Sequence, residues 1–323
     1  MTHEIRVEAF GGPEVLRWTK TKDAAPGRGE ALVRNQAIGL NFLDVYLRSG
    51  RYQNRLPFVP GHEGAGVVEE VGEGVADCAP GDLVAYIDPA GAYAERVIRP
   101  ANRLIKLPLA IDARAAASMM LKGMTAEYLL KRTFKVKSGD FILAHAAAGG
   151  VGQILCQWAK HLGATVIGTV GSAPKKAIAE RAGCDHVIVL DREDFVARVR
   201  EITSGRGVSV VYDGVGLATF ARSLDCLAPR GLLAAYGAAS GPIPPLDVQS
   251  LATKGSLYVT RPGIRTYTES SEELRASAQA LFDVVASGGV KIDPPRTFPL
   301  RDAAVAHTAL EARQLTGSTV LLP

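Results

Sequence analysis

A chain of 323 residues with 47% hydrophobic and 22% charged residues is long enough for two domains and a sizeable core. The formal net charge of +4, from 37 Lys and Arg against 33 Asp and Glu, comes without long basic runs or interleaved aromatics, which argues against a nucleic-acid surface. No apolar run is long enough to span a bilayer, the N-terminus lacks a signal-peptide core, and the four scattered cysteines suggest neither a disulfide framework nor a thiolate zinc cluster, so a cytoplasmic location is expected.

From residue 1 to about 122 the sequence reads as an irregular β domain. Strand-like pieces at 5–7, 31–34, 66–71 and 82–86 are separated by glycine and proline punctuation such as Gly11-Gly12-Pro13 and Ala79-Pro80-Gly81. Residues 41–52 form a short helix or turn with an unusual share of polar groups. Near Lys122 the text changes to helices alternating with strands. Helices are expected at 125–134, 174–182 and 218–227, with Asp191 capping another, and strands at 164–170, 186–190, 208–212, 232–236 and 256–260. Repeated βα units of this kind imply a parallel sheet covered on both faces. The tail changes style again, with amphipathic helices at 271–287 and 302–312 and a last strand at 319–322, and it is expected to rejoin the first domain. Lys122-Gly123 and Arg261-Pro262-Gly263 are hinge candidates.

Residues 141–172 organise the rest. An apolar run of strand length meets a small-residue turn at Ala147-x-Gly149-x-x-Gly152. Val151, Ile154, Leu155, Trp158, Ala159 and Leu162 then fall on one helix face, Gly163 closes the helix, and another apolar strand follows. In this context the glycines point to a dinucleotide, because backbone N–H groups must reach a pyrophosphate that the helix N-terminus stabilises. Ala147 replaces the usual first glycine, so the turn there must tolerate a Cβ. Where NAD-binding domains carry an acid for the ribose 2′-hydroxyl, this chain has Thr169-Val170-Gly171-Ser172, followed by Lys175 and Lys176. Losing the acid and gaining donors favours NADPH.

Gly61-His62-Glu63-Gly64-Ala65-Gly66-Val67-Val68, Gly72, Gly81-Asp82 and Ala146-Ala147-Ala148-Gly149-Gly150-Val151-Gly152 resemble the medium-chain dehydrogenase/reductase superfamily. Gly39 to Tyr46, the string from His145 to Gly152, and Gly255 to Pro262 resemble its NADPH:quinone oxidoreductases of the zeta-crystallin type. The resemblance covers essentially the whole chain. It implies an α/β fold with a GroES-like β domain, residues 1–123 and 262–323, plus an inserted Rossmann doubly wound parallel-sheet domain, residues 124–261. It also implies a homodimer joined through nucleotide-domain strands, with 256–260 as the matching edge.

By the same resemblance, Asn41, Asp44, Tyr46 and Tyr52 form the catalytic, acceptor-facing group. Asn41, Lys122, Thr125, Ala148, Gly149, Gly150, Val151, Gly152, Thr169, Gly171, Ser172, Lys175, Tyr236, Gly237, Ala238, Thr260, Arg261 and Arg313 face the cofactor. Lys175 matches the family lysine, whereas Leu190 stands where relatives often have a tyrosine. Arg313 has a surface ion pair as its alternative, and both tyrosines have the alternative of being half-buried loop residues.

Zinc-dependent members need a cysteine where this chain has Asn41, as well as a four-cysteine lobe. One His62-Glu63 pair does not make a zinc site, and hydrogen bonding is its expected use. The missing ligand set points away from alcohol oxidation and towards reduction of an electron-poor acceptor, a small quinone. The enzyme alternative is an enoyl or alkenal double-bond reductase. The non-enzyme alternative is a crystallin-like or RNA-binding protein. No nucleophile is assigned.

Overall fold

The computed structural model describes residues 1–323. The chain opens with an antiparallel pair, β1 (Thr2–Arg6) and β2 (Arg17–Thr21). β3 (Glu30–Gly39) alternates inward and outward along its first half, leads to α1 (Phe42–Arg48), and returns as β4 (Glu63–Val71). β5 (Leu83–Ile87), β6 (Arg96–Pro100) and β7 (Ile105–Lys106) complete this β-rich part. β2 and β6 are strands that the sequence pattern does not announce.

α2 (Ala113–Tyr128) begins twelve residues before the helix start expected at 125. Asp112 caps it: its side chain accepts from the Ala115 N–H at 2.8 Å and its carbonyl from the Ala116 N–H at 2.9 Å. A π-helical turn, Leu129–Thr133, continues it. The helix runs unbroken through Lys122-Gly123, so that hinge candidate is helical backbone. Gly123 packs against Leu281, whose Cδ atoms lie 2.5 Å from where a Cβ would stand.

β8 (Phe141–Ala144), α3 (Gly150–His161), β9 (Thr165–Val170), α4 (Lys176–Arg181), β10 (His186–Val189), α5 (Phe195–Ile202) and β11 (Val208–Asp213) follow in strict alternation. α5 is capped by Asp194 rather than Asp191. The Asp194 carboxylate accepts from the N–H groups of Val196 and Ala197, so the helix starts one turn later than expected. The short α6 (Phe220–Ser223) leads to β12 (Leu227–Ala235), and α7 (Gln249–Thr253) leads to β13 (Tyr258–Thr260). α8 (Ile264–Tyr267), α9 (Ser271–Ala286), β14 (Arg296–Pro299), α10 (Ala303–Glu311) and β15 (Thr319–Leu322) close the chain.

These elements form two compact units. The first is Met1–Leu121, Thr268–Gln279 and Ile292–Pro323; the second is Lys122–Tyr267 and Ala280–Lys291. The first holds a seven-stranded sheet ordered β14-β15-β3-β4-β5-β7, with β6 also paired to β3. Its core gathers Ile5, Val33, Ile38, Val68, Tyr86 and Leu321. The second holds a six-stranded sheet ordered β10-β9-β8-β11-β12-β13, with every pairing parallel. Numbering these six strands 1 to 6 along the chain gives 3-2-1-4-5-6, the doubly wound order with its switch point between β8 and β11. Leu143, Ile167, Val211 and Leu233 are fully buried, as central parallel strands require. All four cysteines are free and buried.

Candidate functional sites within each unit

In the first unit, Asn41 stands in extended backbone (φ −137°, ψ 153°) just before α1, and its N–H donates to Asp44 Oδ2 at 3.0 Å. Its side-chain amide donates to Glu63 Oε1 at 2.8 Å, while Glu63 Oε2 accepts from the Leu121 N–H at 2.8 Å. Gly39 makes room for this: a Cβ there would lie 2.2 Å from Glu63 Oε1. Asn41 is therefore oriented from two sides by fully buried carboxylates.

Asp44 was expected to line an acceptor pocket, but its side chain turns into the core. Oδ1 accepts from His62 Nδ1 at 2.7 Å, and Oδ2 accepts from the Tyr93 hydroxyl at 3.2 Å. Tyr93 in turn contacts His307 Nε2 at 3.0 Å. Arg48 donates to His307 Nδ1 at 3.3 Å and to both Glu311 oxygens, at 2.8 and 3.0 Å. Burial holds the His307 pKa down to about 4, the Asp44 carboxylate opposing that shift and Arg48 adding to it. Burial also pushes the Tyr93 phenol well up, reinforced by the Asp44 charge. The array extends from α1 through the segment before β6 to α10; the sequence singles out Asn41, Asp44 and the His62-Glu63 pair, whose expected use is hydrogen bonding. Tyr93 and His307 lie 49 and 214 residues from their partners, and no local signal marks them.

Tyr46 is 5% exposed, with the Arg51 guanidinium 5.0 Å over its ring and the Tyr52 ring 5.2 Å away. One face of Tyr46 is thereby covered, whereas Tyr52 is half-buried. Arg313, also in the first unit, is exposed and left-handed (φ 59°) just after α10.

In the second unit, the parallel sheet brings most of the expected cofactor residues to one edge, the carboxyl ends of its strands. The Gly149 N–H donates to the Ala146 carbonyl at 2.8 Å, and Gly149 caps α3. The left-handed residue of the turn is Ala146 (φ 55°), a conformation that costs an alanine about 1 kcal/mol. Ala147 is fully buried, and its N–H donates to the Thr169 carbonyl at 2.9 Å. Gly152 is required by contact: a Cβ would lie 2.3 Å from the Ala146 carbonyl oxygen. The N–H groups at the start of α3, from Gly150 to Gly152, are among those a helix leaves without intrahelical partners. With their dipole they form a cradle that fits a pyrophosphate.

Ser172 and Lys175 follow β9 one short turn apart, the Lys175 N–H donating to the Ser172 carbonyl at 3.1 Å. The Leu190 N–H donates to the Val170 carbonyl at 2.9 Å, so Leu190 lies beside this turn. Tyr236, Gly237 and Ala238 leave β12, and Thr260 ends β13. Thr125 is not a helix-start residue; it lies well inside α2, hydrogen-bonded to Tyr128, whose buried phenol is pushed up while the Arg261 charge opposes the shift. Lys122 is buried in the same helix. Thr169 departs from expectation: it is fully buried, and its hydroxyl meets His145 Nδ1 at 2.9 Å rather than facing a ligand.

Residues 27–109 match the alcohol dehydrogenase GroES-like domain, and residues 150–282 match the family described as zinc-binding dehydrogenase. The donor set here does not fit zinc. No group of three or more His, Cys, Asp or Glu side chains is arranged to hold a metal, and His62, Asp44 and Glu63 are engaged in the bonds given above. The chain is 49% identical to a quinone oxidoreductase of Pseudomonas aeruginosa over the full length of both. It is also 49% identical to a 2-haloacrylate reductase of a Burkholderia species, covering 97% of this chain and 96% of the relative. The crystal structure of Escherichia coli quinone oxidoreductase complexed with NADPH superposes with a TM-score of 0.97 at 46% identity, covering 99% of this chain and 100% of that one. With its strand order, its glycine turn and these full-length likenesses, the chain belongs to the quinone oxidoreductase family of the medium-chain dehydrogenase/reductase superfamily.

Proposed function

We propose that the protein is an NADPH-dependent quinone oxidoreductase that reduces small quinones. The observation that carries this is the second unit's nucleotide edge, where the Gly149–Gly152 cradle is followed by Ser172 and Lys175 with no acid between 169 and 172. NADPH, when bound, supplies the hydride. The chain's own contribution is orientation and hydrogen bonding. Gly150 to Gly152 present N–H groups to the pyrophosphate, and Ser172 and Lys175 face the 2′-phosphate. Asn41, with its amide held on Glu63, and Tyr52 border the acceptor and donate to the oxygen on which charge develops. Lys122, Thr125, Tyr236, Gly237, Ala238, Thr260, Arg261 and Arg313 complete the proposed cofactor contacts.

The test is oxidation of NADPH at 340 nm with benzoquinone, NADH being run in parallel. A preference for NADPH and insensitivity to chelators are expected; no turnover across a panel of small quinones would overturn the reading. A second reading, reduction of a double bond conjugated to a carbonyl, is favoured by the likeness to the Burkholderia reductase. Rates on an enone and on benzoquinone at equal concentration separate the two.

We further propose a homodimer formed through β13. It is the edge strand of the parallel sheet, and its Tyr258 is 62% exposed. No helix is long and apolar enough to cross a membrane, and the free cysteines suit a reducing cytoplasm.

A further inference from the structure

At the switch point of the parallel sheet, four buried polar side chains from four different elements close on one another. His145 follows β8 and is fully buried. Its Nδ1 lies 2.9 Å from Thr169 Oγ1 on β9, and its Nε2 lies 2.9 Å from Ser223 Oγ at the end of α6. The Ser223 hydroxyl donates to the Thr219 carbonyl at 2.9 Å, and Ser223 Oγ stands 3.4 Å from the Asp213 carboxylate. The Thr219 hydroxyl, 2.9 and 2.8 Å from the two Asp213 oxygens, links Asp213 to the cluster. Because the Ser223 hydrogen is committed away from the ring, Ser223 accepts from His145 Nε2–H, and the Thr169 hydroxyl donates to Nδ1. One neutral tautomer satisfies every partner. Burial lowers the His145 pKa, which keeps the ring in this form. Phe195 closes the remaining side, edge-on at 5.1 Å.

Histidine, serine and aspartate follow one another in that order of contact, whereas a hydrolytic triad sets the histidine between the other two. All three are fully buried, so no acyl group reaches the serine. What the cluster does hold is backbone. Asp213 Oδ1 accepts from the N–H groups of Val215 and Gly216 at 2.8 and 3.0 Å, and the Asp213 carbonyl accepts from the Tyr236 N–H at 2.9 Å. On the other flank, the Thr169 carbonyl accepts from the Ala147 N–H, inside the turn that cradles the pyrophosphate. We propose that His145, Thr169, Ser223 and Asp213 form a positioning clamp that sets the glycine turn on one side of the switch point and the loops after β11 and β12 on the other, so that one buried network fixes the geometry of the dinucleotide site from both sides. The clamp rests on the NADPH reading above. None of its four side chains touches the ligand; they act through Ala147 and through the backbone at 215, 216 and 236.

The test is NADPH affinity measured by fluorescence titration without any acceptor, alongside the thermal midpoint. Thr169→Val keeps the shape of the side chain and removes the hydroxyl, and Ser223→Ala removes the other partner of the ring. Each is expected to weaken NADPH at least tenfold while the far-ultraviolet circular dichroism stays native. Thr169→Ser should restore most of the affinity, and the Thr169→Val/Ser223→Ala double variant should lose less than the product of the two single effects. Variants that lower the midpoint but bind NADPH within twofold of wild type would show a merely structural cluster and overturn the clamp. Wild-type protein that bound neither NADPH nor NADH would overturn the cofactor reading and the clamp with it.

Discussion

The Asp44 carboxylate meets the His62 imidazole at 2.7 Å, and both residues are withdrawn from solvent. Asp44 also accepts from the Tyr93 hydroxyl and the Asn41 N–H, so three donors converge on one side chain. Asp44→Asn offers a single acceptor oxygen and brings an NH₂ group against donors. The expected loss is roughly 3 kcal/mol, the scale for breaking a buried charged contact from one side. Urea denaturation measures it, and a loss below about 1 kcal/mol would mean that the array relaxes around the amide.

His307 makes stability depend on pH. Its folded pKa of about 4 lies below the ordinary 6.5, so between those values the unfolded chain binds more protons than the folded one. Stability therefore falls as the pH drops from 6.5 towards 4, by roughly 3 kcal/mol at most from this residue. In His307→Gln the slope of unfolding free energy against pH over that window should be shallower. An unchanged slope would assign the dependence to other groups.

Gly152→Ala puts a methyl 2.3 Å from the Ala146 carbonyl oxygen, a backbone atom that cannot swing aside. The start of α3 must shift. NADPH affinity should fall by an order of magnitude or more while most of the fold survives, at a cost of about 1–3 kcal/mol for overpacking. Isothermal titration of the variant reads the first effect and thermal unfolding the second.

Lys175→Ala tests the 2′-phosphate assignment. Loss of one charge-assisted contact should raise the KM for NADPH about tenfold, with a much smaller change for NADH. Equal effects on the two cofactors would place Lys175 away from the phosphate.

What the sequence disclosed depended on how local each feature is. The glycine turn, its helix and the strand beyond it lie within 32 consecutive residues, and their periodicity announced them. The start of α2 at 113 is hard to read because an alanine-rich first half lacks a strong apolar stripe, and Asp112 is the capping signal that marks it. The cap of α5 is ambiguous for a related reason: Asp191 and Asp194 are equivalent candidates in the sequence, and only the helix start selects Asp194. Asp44 and Thr169 were named, but the directions of their side chains depend on Tyr93, His62 and His145, brought together by sheet topology. The pairing of Ser223 with His145 spans 78 residues, a distance at which a single sequence carries no cue.

Burial of the four cysteines has a chemical consequence for a protein that handles electrophiles. Quinones arylate thiolates, and the attacking form is the anion. Burial raises the Cys78 thiol and lifts that of Cys226 to about 12, while a hydrogen bond with Cys184, reinforced by burial, pushes that of Cys156 well up, so these three present almost no thiolate near neutral pH. These three thiols are thereby guarded against arylation by a quinone, and that tolerance should last as long as the fold does.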